Sequence, residues 1–249
     1  SIEFPSLNKD NSYARKSNTA ELYLNDWQKT TILTPGSKNK FDIICSPSHD
    51  RKKLSNTNKT IYFEGSLAKV STSEVDQNIG FIGIGGINKH FIFNQDAIMQ
   101  QIKFLIGLYP QKKWFIFTTR RTPIEMTHEV AELSSSNNNL IMSDDNYDEI
   151  IEKASIKVVT QDSVNMVYES LSTRGQTILF NMKYIKVNKI VNQINLLLSN
   201  KHVGYIENTE MVNGLNKIKI MPQNTHHDVY AEVEKVAYKL IQEFKSKDL

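Results

Sequence analysis

The 249-residue chain has one cysteine, Cys45. That excludes an internal disulfide framework and a thiolate zinc cluster, and it suits a reducing compartment. No apolar run approaches the roughly 18 residues of a membrane-spanning helix. The N-terminus lacks a charged segment followed by an apolar core, so secretion through it is not expected, and a start at Ser1 rather than Met reads as a trimmed or processed product. With 10 glycines and 6 prolines, collagen-like and low-complexity disordered classes are out. Charge of one sign is also missing. Thirty Lys and Arg against 27 Asp and Glu leave +3, too weak and too interspersed for a nucleic-acid binder, whose affinity rests on neutralising many phosphates. There is no H-E-x-x-H, and His226, His227 and Asp228 are consecutive rather than helically spaced, so no metal site is expected. Ser163 has no G-x-S-x-G elbow, which removes support for a hydrolase triad.

What is present is a soluble-type composition and a repeating order: a short β-branched run, a turn, then a stretch of helical period. This is the mark of βα units and a parallel sheet. The first set is small. It contains strands at Ile2 to Phe4, Thr31 to Leu33, Phe41 to Ser46 and Ile61 to Glu64, and a helix-like stretch from about Tyr13 to Trp27. After the polar stretch Ser71 to Asn78 a second set begins. Strands are expected at Ile79 to Ile84, Trp114 to Thr119, Leu140 to Met142, Ile156 to Thr160, Ile178 to Phe180 and Val203 to Ile206. Helices fall between them at Asp96 to Tyr109, Pro123 to Leu133, Tyr147 to Ala154, Ser163 to Thr173 (stopped by Gly175) and Val187 to Ser199. Val229, Val233, Val236, Leu240 and Phe244 line one face of a last helix. The expected domains are residues 1–75, 76–225 and a C-terminal helix over 226–249 that packs back across them.

In an open parallel sheet, ligands bind beyond the carboxyl ends of the strands, where helix N-termini present free N–H groups. Four such junctions carry candidate chemistry. Gly85-Gly86-Ile87-Asn88-Lys89 pairs glycines that admit a phosphate to the backbone with a lysine charge; a tight turn explains the glycines equally well. Thr119-Arg120-Arg121-Thr122-Pro123 offers an anion clamp, or a solvated arginine pair. In Gln161-Asp162-Ser163-Val164-Asn165-Met166, Asp162 or Ser163 caps a helix, and the Ser163 hydroxyl joins the first-turn N–H groups as an anion site. Glu169 follows six residues later, placed to flank a diol such as a ribose; a plain cap with an exposed glutamate is the alternative. Pro47-Ser48-His49-Asp50 puts a His-Asp pair at a strand end, either a general base or a satisfied turn.

Taken together and in order, these motifs resemble the mitochondrial-fission ELM-type family of GT-B-like glycosyltransferases, from about Phe41 to Ile206. The resemblance implies an α/β fold of two Rossmann-like parallel-sheet domains facing a cleft. It implies that Ser163 and the helix start bind a donor diphosphate, that Glu169 holds the ribose, and that Arg120, Gly85 and Gly86 line the same crevice; Asn88, Lys89, Thr119, Arg121, Gln161, Asp162, Asn165 and Met166 are the further binding candidates of these motifs, and His49 and Asp50 the candidate catalytic pair. It implies a nucleotide-diphosphate sugar as donor substrate, no cofactor and no metal. A cell-envelope glycan or lipid-linked acceptor and a peripheral membrane contact at the cytoplasmic face would be the partners. The family's Gly-rich loop after the first strand is absent here, since Ile2 to Phe4 runs into Pro5-Ser6-Leu7-Asn8, so the first domain is small or truncated. Two other functions fit the same fold: nucleotide-sugar epimerisation, and a non-catalytic adaptor.

Overall fold

The computed structural model describes residues 13–16, 21–24, 43–48, 60–210, 216–223 and 229–247. The strands expected at Ile2 to Phe4 and Thr31 to Leu33 lie outside them, as do His49 and Asp50. The chain divides into two compact units, one of Ser1–Leu67 with Ala231–Leu249 and the other of Ala68–Tyr230.

In the first unit, β1 (Tyr13–Lys16) pairs antiparallel with β2 (Glu21–Leu24), which runs parallel to β3 (Ile43–Pro47) and then β4 (Thr60–Phe63). Within the stretch Tyr13 to Trp27 expected as a helix, the described residues form two strands. Leu22 and Leu24 alternate with Glu21 and Tyr23, a period of two, and Leu22 lies in register with Ile43 of β3. A ladder on both sides of β2 outweighs the local helical pattern. Ile43, Cys45, Ile61 and Phe63 form this unit's core with Val236 of the last helix, whose neighbours Leu240 and Leu67 pack against it. Burial pushes the Cys45 thiol up to about 12, so it stays protonated and acts as a small core side chain.

The second unit is a seven-stranded sheet. Its strands are β5 (Asp76–Ile84), β6 (Lys113–Thr118), β7 (Leu140–Met142), β8 (Ala154–Val159), β9 (Gln176–Leu179), β10 (Gly204–Glu210) and β11 (Asn216–Met221). They lie in the order β11-β10-β9-β8-β5-β6-β7, all parallel except β11. Counted from β5, the six parallel strands run 3-2-1-4-5-6 from the β7 edge, the doubly wound nucleotide-binding order. The direction of winding reverses between β5 and β8. The connecting helices are α1 (Gln95–Leu108), α2 (Ile124–Ser135), α3 (Tyr147–Lys153), α4 (Val164–Leu171) and α5 (Lys189–Ser199); α6 (Glu232–Lys247) is the helix of the first unit. One face of the sheet buries Ile82, Ile84, Trp114, Ile116, Ile156 and Val158 against Ile98, Ile102 and Leu105 of α1 and Met126 and Val130 of α2. At roughly 1.5–3 kcal/mol for each large apolar side chain buried, this layer dominates the unit's stability.

The edge strand β11 was not anticipated, although Lys217-Ile218-Lys219-Ile220 alternates strictly. Its isoleucines pack on the core and Lys219 pairs with Glu207 at 2.6 Å, so lysines line the sheet edge, where they discourage further strand pairing.

A lysine is buried on the other face. Lys157 of β8 is fully buried, and its ammonium donates to the Thr173 carbonyl at 3.1 Å, the Thr173 hydroxyl at 2.7 Å and the Arg174 carbonyl at 2.5 Å. It thereby fixes the turn that follows α4, just beyond the negative end of the helix. Burial pulls its pKa down to about 7, whereas unfolded lysine titrates near about 10.4. Below about pH 7 both states are charged and the folded chain bears the whole desolvation cost. As pH rises from there toward about 10.4 the folded lysine has lost its proton and the unfolded one has not, so stability rises. Urea unfolding at pH 7.5 and 9.5, both set within that window, is expected to show wild type gaining up to about 2 kcal/mol over Lys157→Met. A pH-independent difference would show that the three oxygen acceptors keep the ammonium charged.

Candidate functional site

Three strand-to-helix junctions meet at the carboxyl ends of β5, β6 and β8, where the winding reverses. The chain leaves β5 through Gly85 and Gly86, which are buried because the loops after β6 and β8 close on them. Gly85 N–H donates to the Thr160 hydroxyl at 2.7 Å and Gly86 N–H to Asp162 Oδ2 at 2.7 Å. The Thr119 hydroxyl donates to the Gly85 carbonyl at 3.2 Å, and the Thr122 hydroxyl reaches the same oxygen. The Gly-Gly pair is therefore there for close approach. A Cβ on Gly86 would lie 1.9 Å from the Arg121 carbonyl oxygen, and one on Gly85 2.3 Å from the Asp162 carboxylate.

Asp162 does not cap α4. Its side chain is wholly buried, turned to Gly86 N–H and to Arg121 Nη2 at 3.3 Å, with Oδ1 unpaired. Burial raises its pKa; the Gly86 N–H, the Thr160 hydroxyl and the Arg121 charge oppose that shift. The Asp162 backbone carbonyl accepts from Asn88 Nδ2 at 3.0 Å, while Asn88 Oδ1 accepts from the N–H groups of His90 and Phe91. Gln161 donates to the Phe180 carbonyl at 2.7 Å, joining the ends of β8 and β9. Gly85, Gly86, Asn88, Thr119, Gln161 and Asp162 thus build the site's frame, and their polar groups are largely spent within it.

Other groups remain available. Ser163 holds the N-cap position of α4, but its hydroxyl makes no capping bond, unlike the Asn94 and Asn188 side chains at α1 and α5. Among the described residues, the N–H groups of Val164, Asn165 and Met166 have no partner, so the positive end of α4 opens outward. Ser163, Asn165 and Glu169 are half-buried, whereas Met166 and Tyr168 point inward. Met166 Sδ would lie 2.9 Å from a Cβ on Gly83, and the Tyr168 hydroxyl accepts from Gln193 at 3.0 Å. Neither plugs the outward side of the helix. Lys89 and Arg120 are exposed and make no ion pair with a described residue.

Glu169 has a partner that sequence reasoning did not supply. Tyr147, the first residue of α3, donates its hydroxyl to Glu169 Oε2 at 2.6 Å and stands edge-on to Phe81 and Phe117 at 5.3 Å each. Burial, first, and then the Glu169 charge drive the Tyr147 pKa upward; burial likewise raises Glu169, against the tyrosine bond. Glu169 Oε1 is left for another donor.

Two cavities accompany this unit. One of about 900 Å³ lies at the opposite, amino ends of β5, β8 and β9, lined by Gln77, Lys112, Ser155, Arg174 and Gln176. Lys112 is already committed there to the Gln77 carbonyl and the Ser155 hydroxyl. The other, about 430 Å³, lies on the carboxyl side beside Asn94, Asp96, Asn181, Lys183 and Asn208.

A 3-2-1-4-5-6 parallel sheet with an unspent helix N-terminus at its winding reversal defines a Rossmann-like α/β protein. The chain belongs to the mitochondrial fission ELM1 family, whose model matches residues 20–244, a GT-B-like, glycosyltransferase-related family. This bears out the resemblance carried by the four motifs. No curated protein matches the chain by sequence. Among solved structures it is similar to the cypemycin decarboxylase CypD, with 13% identity and a TM-score of 0.36 over 55% of this chain and 86% of that one. It is also similar to TarM, with 11% identity and a TM-score of 0.35 over 70% of this chain and 41% of that one. Likenesses this distant carry nothing about activity.

Proposed function

We propose that the chain is a glycosyltransferase that takes a nucleotide-diphosphate sugar at the carboxyl ends of β5, β6 and β8 and transfers the sugar to a cell-envelope glycan or lipid-linked acceptor. The observation that carries this reading is the amino end of α4, where the Ser163 hydroxyl and three N–H groups are unspent at the winding reversal. A diphosphate leaving group gains charge as the bond from sugar to phosphate oxygen breaks. Fixed helix N–H groups with Arg120 and Lys89 stabilise that charge without a metal. Glu169, held on one oxygen by Tyr147, presents the other to a ribose hydroxyl. In this reading His49 and Asp50 take the proton of the acceptor hydroxyl as it bonds to the sugar carbon.

One observation favours a second reading. Asp162 already occupies the Gly86 N–H, so a non-catalytic adaptor that keeps the fold would lose nothing at that loop. Isothermal titration with uridine, cytidine and guanosine diphosphates separates the two. At least one is expected to bind, and Glu169→Ala should weaken it by more than about 1 kcal/mol, roughly five-fold or more. If none binds an intact fold, the transferase reading falls and the adaptor stands. Conversion of a bound donor with no acceptor present would point instead to an epimerase.

A further inference from the structure

Beyond the α4 crevice, the same end of the sheet carries a ridge made from two segments. The stretch after Gly86 and the stretch after β9 are joined by Ile92 N–H to the Lys183 carbonyl and Ile185 N–H to the His90 carbonyl, both at 2.8 Å, with Phe91 and Tyr184 paired between them. Phe91 is buried and anchors the ridge. Other apolar side chains along the two segments reach solvent: Ile87 is 66% exposed, Val187 60%, Ile185 54%, Tyr184 50% and Ile92 49%. Five of the ten large apolar side chains most exposed among the described residues therefore sit on this one feature, far from the scattered pattern of an ordinary surface.

The charged side chains on the two segments themselves are all lysines. Lys89, Lys183 and Lys186 are exposed, and no Asp or Glu occurs between Ile84 and Gln95 or between Phe180 and Ser199. The nearest acid in sequence is Asp96, at the start of α1, where it shares a cavity wall with Lys183. Lys89 and Lys189 both act on His90, whose pKa is lowered by burial first and then by these two charges, so the lysines of the two segments converge. Isoleucine, valine and a tyrosine interleaved with lysine match the boundary of an anionic bilayer. The apolar tips enter the acyl edge, the tyrosine sits at headgroup depth, and the ammonium groups meet phosphate. A protein partner would need acidic groups to face the lysines and would bring a defined, mixed-charge rim.

We propose that the ridge of Ile87, Ile92, Tyr184, Ile185 and Val187, framed by Lys89, Lys183 and Lys186, docks this chain on an anionic lipid surface. It deepens the reading of a lipid-linked acceptor by naming the residues that meet the membrane. Among the described residues no helix is long and apolar enough to cross a bilayer.

The test is co-sedimentation with vesicles of phosphatidylcholine alone and of phosphatidylcholine mixed with phosphatidylglycerol. The full chain is expected to bind the mixed vesicles, weakly or not at all the neutral ones, and to lose affinity as salt rises. Each lysine near an anionic surface contributes roughly five-fold, so Lys183→Gln with Lys186→Gln should cost about 25-fold. Ile185→Ser with Val187→Ser should abolish the binding that survives at high salt. All four positions are exposed and outside the α4 crevice, so both double variants should melt as wild type does and keep its nucleotide titration. No binding of wild type to the mixed vesicles, or binding equal in wild type and both variants, overturns the proposal. Nucleotide titration reports separately on the transferase reading, which stands or falls on its own.

Discussion

Gly86→Ala is expected to lower the melting temperature by about 6–12 °C, because the added methyl meets backbone that has nowhere to go. A Cβ there would lie 1.9 Å from the Arg121 carbonyl oxygen, 2.1 Å from its carbon and 2.6 Å from Thr122 N. No rotamer change relieves a clash with backbone. Those atoms are themselves fixed, Ile87 N–H donating to the Arg121 carbonyl at 3.3 Å and Thr122 N–H to the Thr119 carbonyl at 2.9 Å. Separating the two loops breaks this set and the Asp162 contact together. Overpacking costs about 1–3 kcal/mol where side chains yield, so a value of about 3 kcal/mol or more is expected where they cannot. In a chain of this size that corresponds to about 2–4 °C per kcal/mol. Gly107→Ala is the control: nothing lies within 4 Å of its Cβ, and near the end of α1 it should be neutral or stabilising by up to about 1 kcal/mol. A Gly86→Ala shift under about 2 °C, set against that scale, would mean that the β5 and β6 loops are not locked as described.

The alternation of strands and helices in the second unit was legible because each run is long enough for its period to show, as in Asp76–Ile84 followed by Gln95–Leu108. The lateral order was not, since which neighbour β8 chooses is a long-range matter of crossovers, and only the structure puts β8 beside β5. In the first unit β1 and β2 hide a strand pair inside a stretch of helical pattern, because what holds β2 as a strand is its parallel pairing with β3, where Leu22 meets Ile43 far along the chain. The junction residues themselves were legible as a group, yet their roles were not. The sequence pattern leaves Asp162 and Ser163 equally placed to cap α4, and it is the buried Gly86 N–H that draws Asp162 away and leaves Ser163 free. Tyr147 carried no local signal, as it meets Glu169 across 22 residues. Lys157 did carry one, a lone cation inside Ala154–Val159, which only a buried partner explains.

Asp162→Ala and Asp162→Asn are expected to move stability and anion binding in opposite directions. Alanine leaves the buried Gly86 N–H without an acceptor, a loss of about 2–3 kcal/mol, and releases Arg121 to solvent. Asparagine keeps an oxygen for Gly86 but no charge for Arg121. Because Arg121 is more than a third exposed, its ion pair contributes little, and asparagine should cost under about 1 kcal/mol. Both variants remove a negative charge from beside the α4 amino end and free Arg121 to turn toward a ligand. A unit charge at surface-like dielectric is worth on the order of 1–2 kcal/mol over several ångströms, so inorganic diphosphate should bind about ten-fold tighter to Asp162→Asn than to wild type. Asp162 would then be the group that holds the site's arginine in reserve until a diphosphate displaces it. Titration at fixed ionic strength decides the matter: unchanged or weaker binding by a well-folded Asp162→Asn would show that the anion never comes near this carboxylate, and that Asp162 serves the loop alone.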